Sequence, residues 1–299
     1  MYNVSYCMRR ERPTGERALN MATVLVTGSN GYVGRHVVQR LASLNVPVIA
    51  VDFQQPVMRI PGVRYVEANI FDADFELSSI LGGLPDVCIH LAWRNGFKHN
   101  DPSHMEDLSA HYRFLMGLVG SGVPRISAMG TMHEVGYWEG AISDDTPCNP
   151  QSLYGIAKDS LRRALLLNSS DGSFDLKWLR GFYIYGDDEK SQSIFGKLLR
   201  AARQGMDSFP FTTGSNKYDF MTVESLAWMI VAASLQREVS GIINCCTGNP
   251  VSLADKVEEF IRENGLDIQL EYGAYPDRPY DSPGVWGDPT KINSILAGS

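Results

Sequence analysis

Tyr154 and Lys158 stand four residues apart in the run Tyr154-Gly155-Ile156-Ala157-Lys158, a spacing that puts both side chains on one face of a helix. A phenol with an ordinary pKa near 10 is a poor acid or base at neutral pH, but a nearby ammonium or other cation favours its phenolate. A depression of about three units corresponds to roughly 4 kcal/mol, within reach of two cations in a partly dry cleft. Lys158 can also hydrogen-bond a nicotinamide ribose. Taken alone, such a pair is more often a solvent-facing couple on an amphipathic helix. A segment far upstream gives it chemical weight.

That segment is Val24-Leu25-Val26-Thr27-Gly28-Ser29-Asn30-Gly31-Tyr32-Val33-Gly34, an apolar run entering three glycines at the spacing G-x-x-G-x-x-G. It reads as a buried strand, a tight turn and the start of a helix whose free N–H groups face a pyrophosphate. A side chain at Gly28 or Gly31 would obstruct that approach, and one at Gly34 would push the helix off the strand. The apolar positions Val37, Val38, Leu41 and Leu44 continue the helix. A second strand, Val46 to Val51, then ends in Asp52. An acid there accepts the adenosine ribose hydroxyls and repels a 2′-phosphate, so the expected cofactor is NAD rather than NADP.

The chain has 299 residues, 44% of them hydrophobic, enough for one large α/β domain or one domain with a small appendage. Its net charge of −7, with Lys and Arg scattered, provides no basic stripe for nucleic acid or an acidic membrane surface. The five cysteines have no paired-ligand spacing and lie largely in apolar runs such as Val87-Cys88-Ile89. They read as reduced thiols of a cytoplasmic protein, with no metal site. No run approaches the roughly 20 apolar residues of a membrane span. Residues 1–20 lack the apolar centre of a secretory signal and are expected to be a disordered extension.

The elements that must position Tyr154 and Lys158 follow the same logic. Val63–Ala68, Val87–Ala92, Val123–Met129 and Leu176–Arg180 read as strands three to six of a doubly wound parallel sheet, with helical patterns after strands three and four. Beyond Gly186 come a polar loop, a basic helix over Phe195–Gln204 and a Gly/Pro/Tyr-rich tail. The expected division is a Rossmann domain over 21–185 and 219–248, with a small, discontinuous substrate-binding domain over 186–218 and 249–299 capping the strand ends. Trp93, Arg94 and His99, in the loop after strand four, are candidates to line the substrate pocket.

The ordered motifs Thr27–Gly34, His90-Leu91-Ala92, Tyr154-x-x-x-Lys158, Leu179-Arg180 leading to Tyr185-Gly186, Tyr218-Asp219-Phe220 with Val223-Glu224, and Arg278-Pro279-x-Asp281 are together specific. From Met21 to Leu296 the chain resembles the extended short-chain dehydrogenases, in particular the NAD-dependent epimerase/dehydratase family acting on nucleotide sugars. The resemblance implies a nucleotide-diphosphate sugar substrate and a homodimer built on helices near 108–119 and 154–167. It implies a cofactor site formed by Gly28, Asn30, Gly31, Tyr32, Val33, Gly34 and Asp52, together with Asn69, Ile70, Leu91, Ala92, Trp93, Tyr154, Lys158 and Tyr183. Asn69 stands where the family usually has Asp before Ile70. Asp107 stands near a usual asparagine.

The family also places a Ser or Thr at the end of strand five. Registering Arg125 to Gly136 on its S-S-x-x-V-Y-G run puts Thr131 at the catalytic position, with Gly130 and Val135 departing from the pattern and Ser127 as a fallback inside the strand. Related dehydratases follow that hydroxyl with Asp-Glu, and epimerase-reductases of the fucose pathway follow it with Cys; here Met132 and His133 occupy those places, which disfavours elimination and carbon epimerisation. His133 is a candidate acid or a substrate contact. Lys217 and Arg278 are candidates for the diphosphate, Tyr218 standing where the family often has Arg before Asp-Phe. The expected activity is NAD-dependent reduction of a nucleotide-linked 4-keto-6-deoxy sugar, with 4-epimerisation as the alternative and a silent NAD-binding regulator as the rival from another class.

Overall fold

The computed structural model describes residues 22–72, 82–186, 193–276 and 282–298. Along these residues run β1 (Val24–Thr27), α1 (Gly34–Ser43), β2 (Val48–Asp52), β3 (Arg64–Glu67), β4 (Val87–His90), α2 (Ser103–Glu106), α3 (Leu108–Gly120) and β5 (Arg125–Thr131). A 3-10 turn over Met132–Glu134 leads to β6 (Gly140–Ile142), α4 (Leu153–Asn168), β7 (Asp175–Gly181), β8 (Tyr183–Tyr185) and α5 (Ile194–Arg203). The remainder is β9 (Ser208–Pro210), β10 (Lys217–Thr222), α6 (Val223–Leu235), β11 (Gly241–Cys245), β12 (Pro250–Ser252), α7 (Leu253–Glu263), β13 (Gln269–Glu271), β14 (Gly284–Gly287) and α8 (Thr290–Ala297). The extension expected at 1–20 lies outside the described residues.

Seven parallel strands form the main sheet in the order β11-β7-β5-β4-β1-β2-β3. Its strands β1, β2 and β4 are buried along their whole length and largely apolar because both faces are covered. Val24 and Val26 join Val37, Val38 and Leu41 of α1 and Leu226 and Ile230 of α6 on one face. Leu25, Ile49 and Cys88 meet Phe114, Leu115 and Leu118 of α3 and Leu161 and Leu165 of α4 on the other. Each fully buried Val or Leu contributes about 1.5–3 kcal/mol, so packing on these two faces, more than local helix propensity, holds the layers.

The stretches after Gly186 contribute strands to a second sheet, which also takes in β6 and β8 from upstream. Its strands run β12-β10-β14-β6, with β8 also pairing β10, and β9 pairs β13 separately. The strands are short, mostly three residues, too brief for a period-two pattern to stand out from loop sequence. Asp219 ties this sheet to the main one. Fully buried, its carboxylate accepts the backbone N–H groups of Thr247 (2.9 Å), Gly248 (2.8 Å) and Gly287 (3.2 Å) and the Thr247 hydroxyl (2.6 Å).

The strand order reverses around β1, which has β2 on one side and β4 on the other. In open α/β sheets that reversal leaves a crevice at the carboxyl ends of the strands, where ligands bind. The last residues of β1 and β4 meet across it, with Thr27 Oγ1 2.8 Å from His90 Nδ1.

Candidate active site

The turn after β1 has the close approaches that its glycines suggested. Gly28 has φ +67°, and a Cβ there would lie 2.6 Å from the backbone nitrogen of Ala92. A Cβ on Gly34 would lie 2.0 Å from the Gly28 carbonyl oxygen, so the helix can begin against the turn only without one. The Gly31 N–H closes the turn on that same oxygen at 3.1 Å. Val33 precedes α1 without any side-chain cap, so no side chain of that residue competes with an anion at this end of the helix. Asp52, at the end of β2, accepts the N–H groups of Asn30 (2.9 Å) and Phe53 (2.8 Å), fixing its carboxylate beside the turn. The Asn30 amide donates to the Gln54 carbonyl (2.5 Å), and the Tyr32 hydroxyl donates to the Gly186 carbonyl. This cradle, with a carboxylate at its adenosine end, fits NAD.

The proton-transfer groups meet at the end of β5. Thr131, the last residue of that strand, hydrogen-bonds the Tyr154 phenol through its hydroxyl. Helix α4 brings Tyr154 there with three local devices. Ser152 caps the helix through its hydroxyl to the Gly155 N–H (3.1 Å), and the Tyr154 N–H donates to the His99 carbonyl (2.8 Å). Gly155 lets the helix press on the 3-10 turn, since a Cβ there would lie 2.4 Å from the His133 carbonyl oxygen. The alternative hydroxyl, Ser127, is buried within β5 without a hydrogen-bond partner among the described residues.

Lys158 is buried, and its ammonium donates to the Met129 carbonyl (2.7 Å) and lies 3.7 Å from the centre of the Trp93 ring. Burial lowers its pKa to about 7, against the pull of Glu134. Burial also pushes Tyr154 up to about 12, although the Thr131 hydroxyl works the other way. The protein alone therefore does the reverse of the depression expected from the Tyr/Lys spacing. The reason is that Lys158 faces Trp93 and sits 6.0 Å from the tyrosine ring, too far to offset desolvation.

Trp93 turns out to be a platform. Its ring stacks on His111 (4.2 Å between centroids, 13° between planes), and its indole N–H donates to His104 Nδ1 (3.0 Å). His111 is held in turn by His90 Nε2 (2.9 Å), and both imidazoles are kept neutral by burial, His90 near 3. Only His90 stood in a recognised motif, and its supporting task was not visible there, because these residues come from α2, α3 and β4 and meet only in the folded chain.

Glu134 is a second unanticipated member. Its fully buried carboxylate accepts the Thr131 N–H (2.7 Å) and the Trp178 indole N–H (2.9 Å), and Arg162 (3.4 Å) and Arg180 (3.6 Å) stand beside it. Burial raises its pKa while Arg180 and these hydrogen bonds oppose the rise. The departure at Gly130 now has a cause, since a Cβ there would lie 2.2 Å from Trp178 Nε1. The Thr131-x-x-Glu134 spacing of a capping box was the available sequence signal.

The remaining expected residues are spread more widely. Leu91 and Ala92 line the crevice with N–H groups directed at the Thr27 carbonyl (3.1 Å) and hydroxyl (3.5 Å). Asn69 uses its amide on Phe71 N (3.2 Å) and Asp72 (2.6 Å), a turn-forming arrangement, while Ile70 is buried in the core. Tyr183 packs on Tyr218 in the second sheet (4.3 Å). Arg94 is gripped by Asp107 (2.5 and 2.9 Å), which accounts for an acid at that position. Lys217 is exposed at the start of β10. Arg278 lies outside the described residues.

Residues 24–246 match the NAD dependent epimerase/dehydratase family. Over 267 residues the chain is 42% identical to the dTDP-6-deoxy-L-talose 4-dehydrogenase (NAD(+)) of Aggregatibacter actinomycetemcomitans, covering 88% of this chain and 98% of that one. Among solved structures it resembles MoeE5 in complex with UDP-glucuronic acid and NAD, with a TM-score of 0.77, 25% identity and 92% of each chain covered. It shares the fold of a UDP-glucose 4-epimerase from Thermotoga maritima at a TM-score of 0.78 and 20% identity, covering 91% of each chain. With the match running from the first strand of the cradle past the last strand of the main sheet, this chain belongs to the NAD-dependent epimerase/dehydratase family, and its cofactor is NAD.

Proposed function

We propose that this chain is an NAD-dependent reductase of a nucleotide-diphosphate 4-keto-6-deoxy sugar. The observation that carries the reading is the Thr131–Tyr154 pair with its phenol pushed up to about 12, hence proton-bearing throughout the neutral range. A phenol in that state is an acid ready to protonate an oxygen on which negative charge develops. NADH supplies a hydride to the keto carbon. Tyr154 gives its proton to the carbonyl oxygen, Thr131 orients that oxygen, and Lys158, on the Trp93 face, adds positive charge in its protonated form, which burial leaves partly populated near pH 7. The products are the 4-hydroxy sugar and NAD, and water reprotonates the phenol. The relative from Aggregatibacter supports this choice of substrate, since its name describes the same bond handled in the opposite direction on a dTDP-linked 6-deoxyhexose.

Within this reading the sugar site is formed by Trp93, Thr131 and His133. Lys217 and Arg278 serve the diphosphate, and Arg94 supports the pocket through Asp107. The substrate domain comprises 186–218 and 249–299, and the Rossmann domain 21–185 and 219–248. A cytoplasmic homodimer uses the outer faces of α3 and α4, a role supported by Ile156 and Leu167, which α4 leaves exposed.

The test is NADH absorbance in the presence of purified protein and a panel of nucleotide-linked 4-keto-6-deoxy sugars. Stoichiometric consumption is expected. Interconversion of 4-hydroxyl epimers with retained NAD, and no net consumption, would move the activity to 4-epimerase. Several relatives at 24–27% identity bear epimerase names.

A further inference from the structure

The chain has six histidines, and five gather around Tyr154 and Trp93 in two different states. His90, His104 and His111 are committed inside the protein. His90 bridges Thr27 and His111, while His104 bridges the Trp93 indole and the Lys98 carbonyl (3.0 Å). His99 and His133 are not. Their rings lie 4.3 Å apart, half-buried, and 5.4 and 6.1 Å from the Tyr154 ring. No ring nitrogen of either has a hydrogen-bond partner among the described residues.

Their placement is rigid, because each main chain is bonded to a catalytic residue. The His133 N–H donates to the Thr131 hydroxyl (3.3 Å), and the His99 carbonyl accepts the Tyr154 N–H (2.8 Å). The two imidazoles therefore stand beside the Thr131 and Tyr154 side chains, to which the proposed function assigns the reacting oxygen. Burial first, and then mutual repulsion between neighbouring imidazoles, disfavours protonation of both, with His133 near 4. A neutral imidazole offers one donor and one acceptor, the complement of a sugar hydroxyl. It is a poor match for a diphosphate, which calls for cations.

We propose that His99 and His133 form a hydroxyl-recognition subsite, hydrogen-bonding the ring hydroxyls of the hexose nearest its reacting carbon and so deciding which sugars are accepted. The assignment rests on the nucleotide-sugar reading above.

Calorimetric titration of the NADH-loaded protein tests it, because the reduced cofactor cannot oxidise an alcohol. The probes are dTDP-6-deoxy-L-talose, its 2-deoxy and 3-deoxy analogues, and dTDP alone. For the unaltered protein, at least one deoxy analogue should bind roughly tenfold to a hundredfold more weakly than the parent, the kind of loss seen when a hydrogen-bonding pocket is left unpaired. His99→Phe and His133→Phe keep the ring packing and remove the nitrogens. Each should weaken the parent sugar by a similar factor, erase the discrimination against one analogue, and leave dTDP and NADH within about twofold. His133→Asn and His99→Asn should restore part of the loss. Equal affinity of the unaltered protein for parent and analogues would overturn the subsite without reference to any variant. So would Phe variants that lose dTDP as much as the sugar. If the unaltered protein binds NADH but neither dTDP nor the sugar nucleotide, the functional reading itself falls, and the subsite with it.

Discussion

The crevice has two sides that are built on different physical terms. On the side of β1 and β2 the binding groups belong mostly to the backbone: glycines at Gly28, Gly31 and Gly34, the start of α1 with no side-chain cap, and one carboxylate on Asp52. On the side of β5 and α4 they are side chains drawn from five separate segments, with Thr131 braced by Glu134 and Lys158 by Trp93. Backbone geometry is written in short contiguous motifs. A side-chain network depends on which segments meet, so its members stay silent until the chain is folded. The first side is shared by cofactor-binding proteins generally, and the second is where a particular reaction is selected.

That contrast can be broken or sharpened by substitution. The largest effect is expected for Tyr154→Phe, which removes the proton donor. Steady-state kinetics should show kcat reduced by about 10³-fold or more, while NADH affinity measured by fluorescence stays near normal. Substantial residual turnover would take the proton-transfer role from this side.

Glu134→Gln keeps the shape and removes the charge that Arg162 and Arg180 flank. Breaking a buried ion pair costs about 3–5 kcal/mol. Chemical denaturation should therefore show a large loss of stability, and kcat should fall more than the KM for NADH rises. A stability loss with unaltered kcat would confine Glu134 to the fold.

Acid should act on the same side. The neutral state of His90 is held down to about pH 3 and that of His133 to about pH 4, whereas in the unfolded chain each takes a proton near 6.5. Between those limits the unfolded chain binds more protons than the folded one, so stability falls as pH falls from about 6.5 toward 3, by about 1.4 kcal/mol for each unit of depression. Denaturation curves at pH 7 and pH 5 check this directly. A flat profile would mean that these imidazoles reach solvent.

On the backbone side, Asp52→Ala should weaken NADH binding by about 1–3 kcal/mol, the scale for removing one partner of a buried hydrogen bond. Stability should change less, because the Asn30 N–H can turn to water. An unchanged dissociation constant would remove Asp52 from the ribose. The smallest effect is expected for Arg94→Ala. Its guanidinium is half exposed and spent on Asp107 and Glu106, so melting temperature and the KM for sugar should hardly move. A large rise in that KM would return Arg94 to the pocket.

Much of the main sheet could be read from residue order. Strands one to six fall within two or three residues of their expected bounds, since long buried strands and amphipathic helices carry a strong periodic signal. The second sheet escaped because its strands are mostly three residues long. Asp219 was recognised in a motif, yet its task, binding the loop after β11 to β14, depends on contacts across more than 60 residues. Tyr183 was expected at the cofactor, and the structure adds its packing on Tyr218 in the second sheet. Arg94 was expected in the pocket and is neutralised by an acid whose proximity no spacing rule reveals.

By itself the sequence determined the parallel sheet, the glycine cradle and the acid at its adenosine end, and it placed Tyr154 and Lys158 on one helix face. All of these follow from local backbone geometry and periodic burial. Tertiary structure decided the rest. It set Lys158 on Trp93 rather than beside Tyr154, leaving the phenol protonated by desolvation. It also sank a carboxylate beneath Thr131 and sorted five histidines into three bound inside the protein and two half-buried against each other beside Tyr154. Charge and proton state depend on burial and on neighbours distant in the chain, and those exist only once the segments have packed.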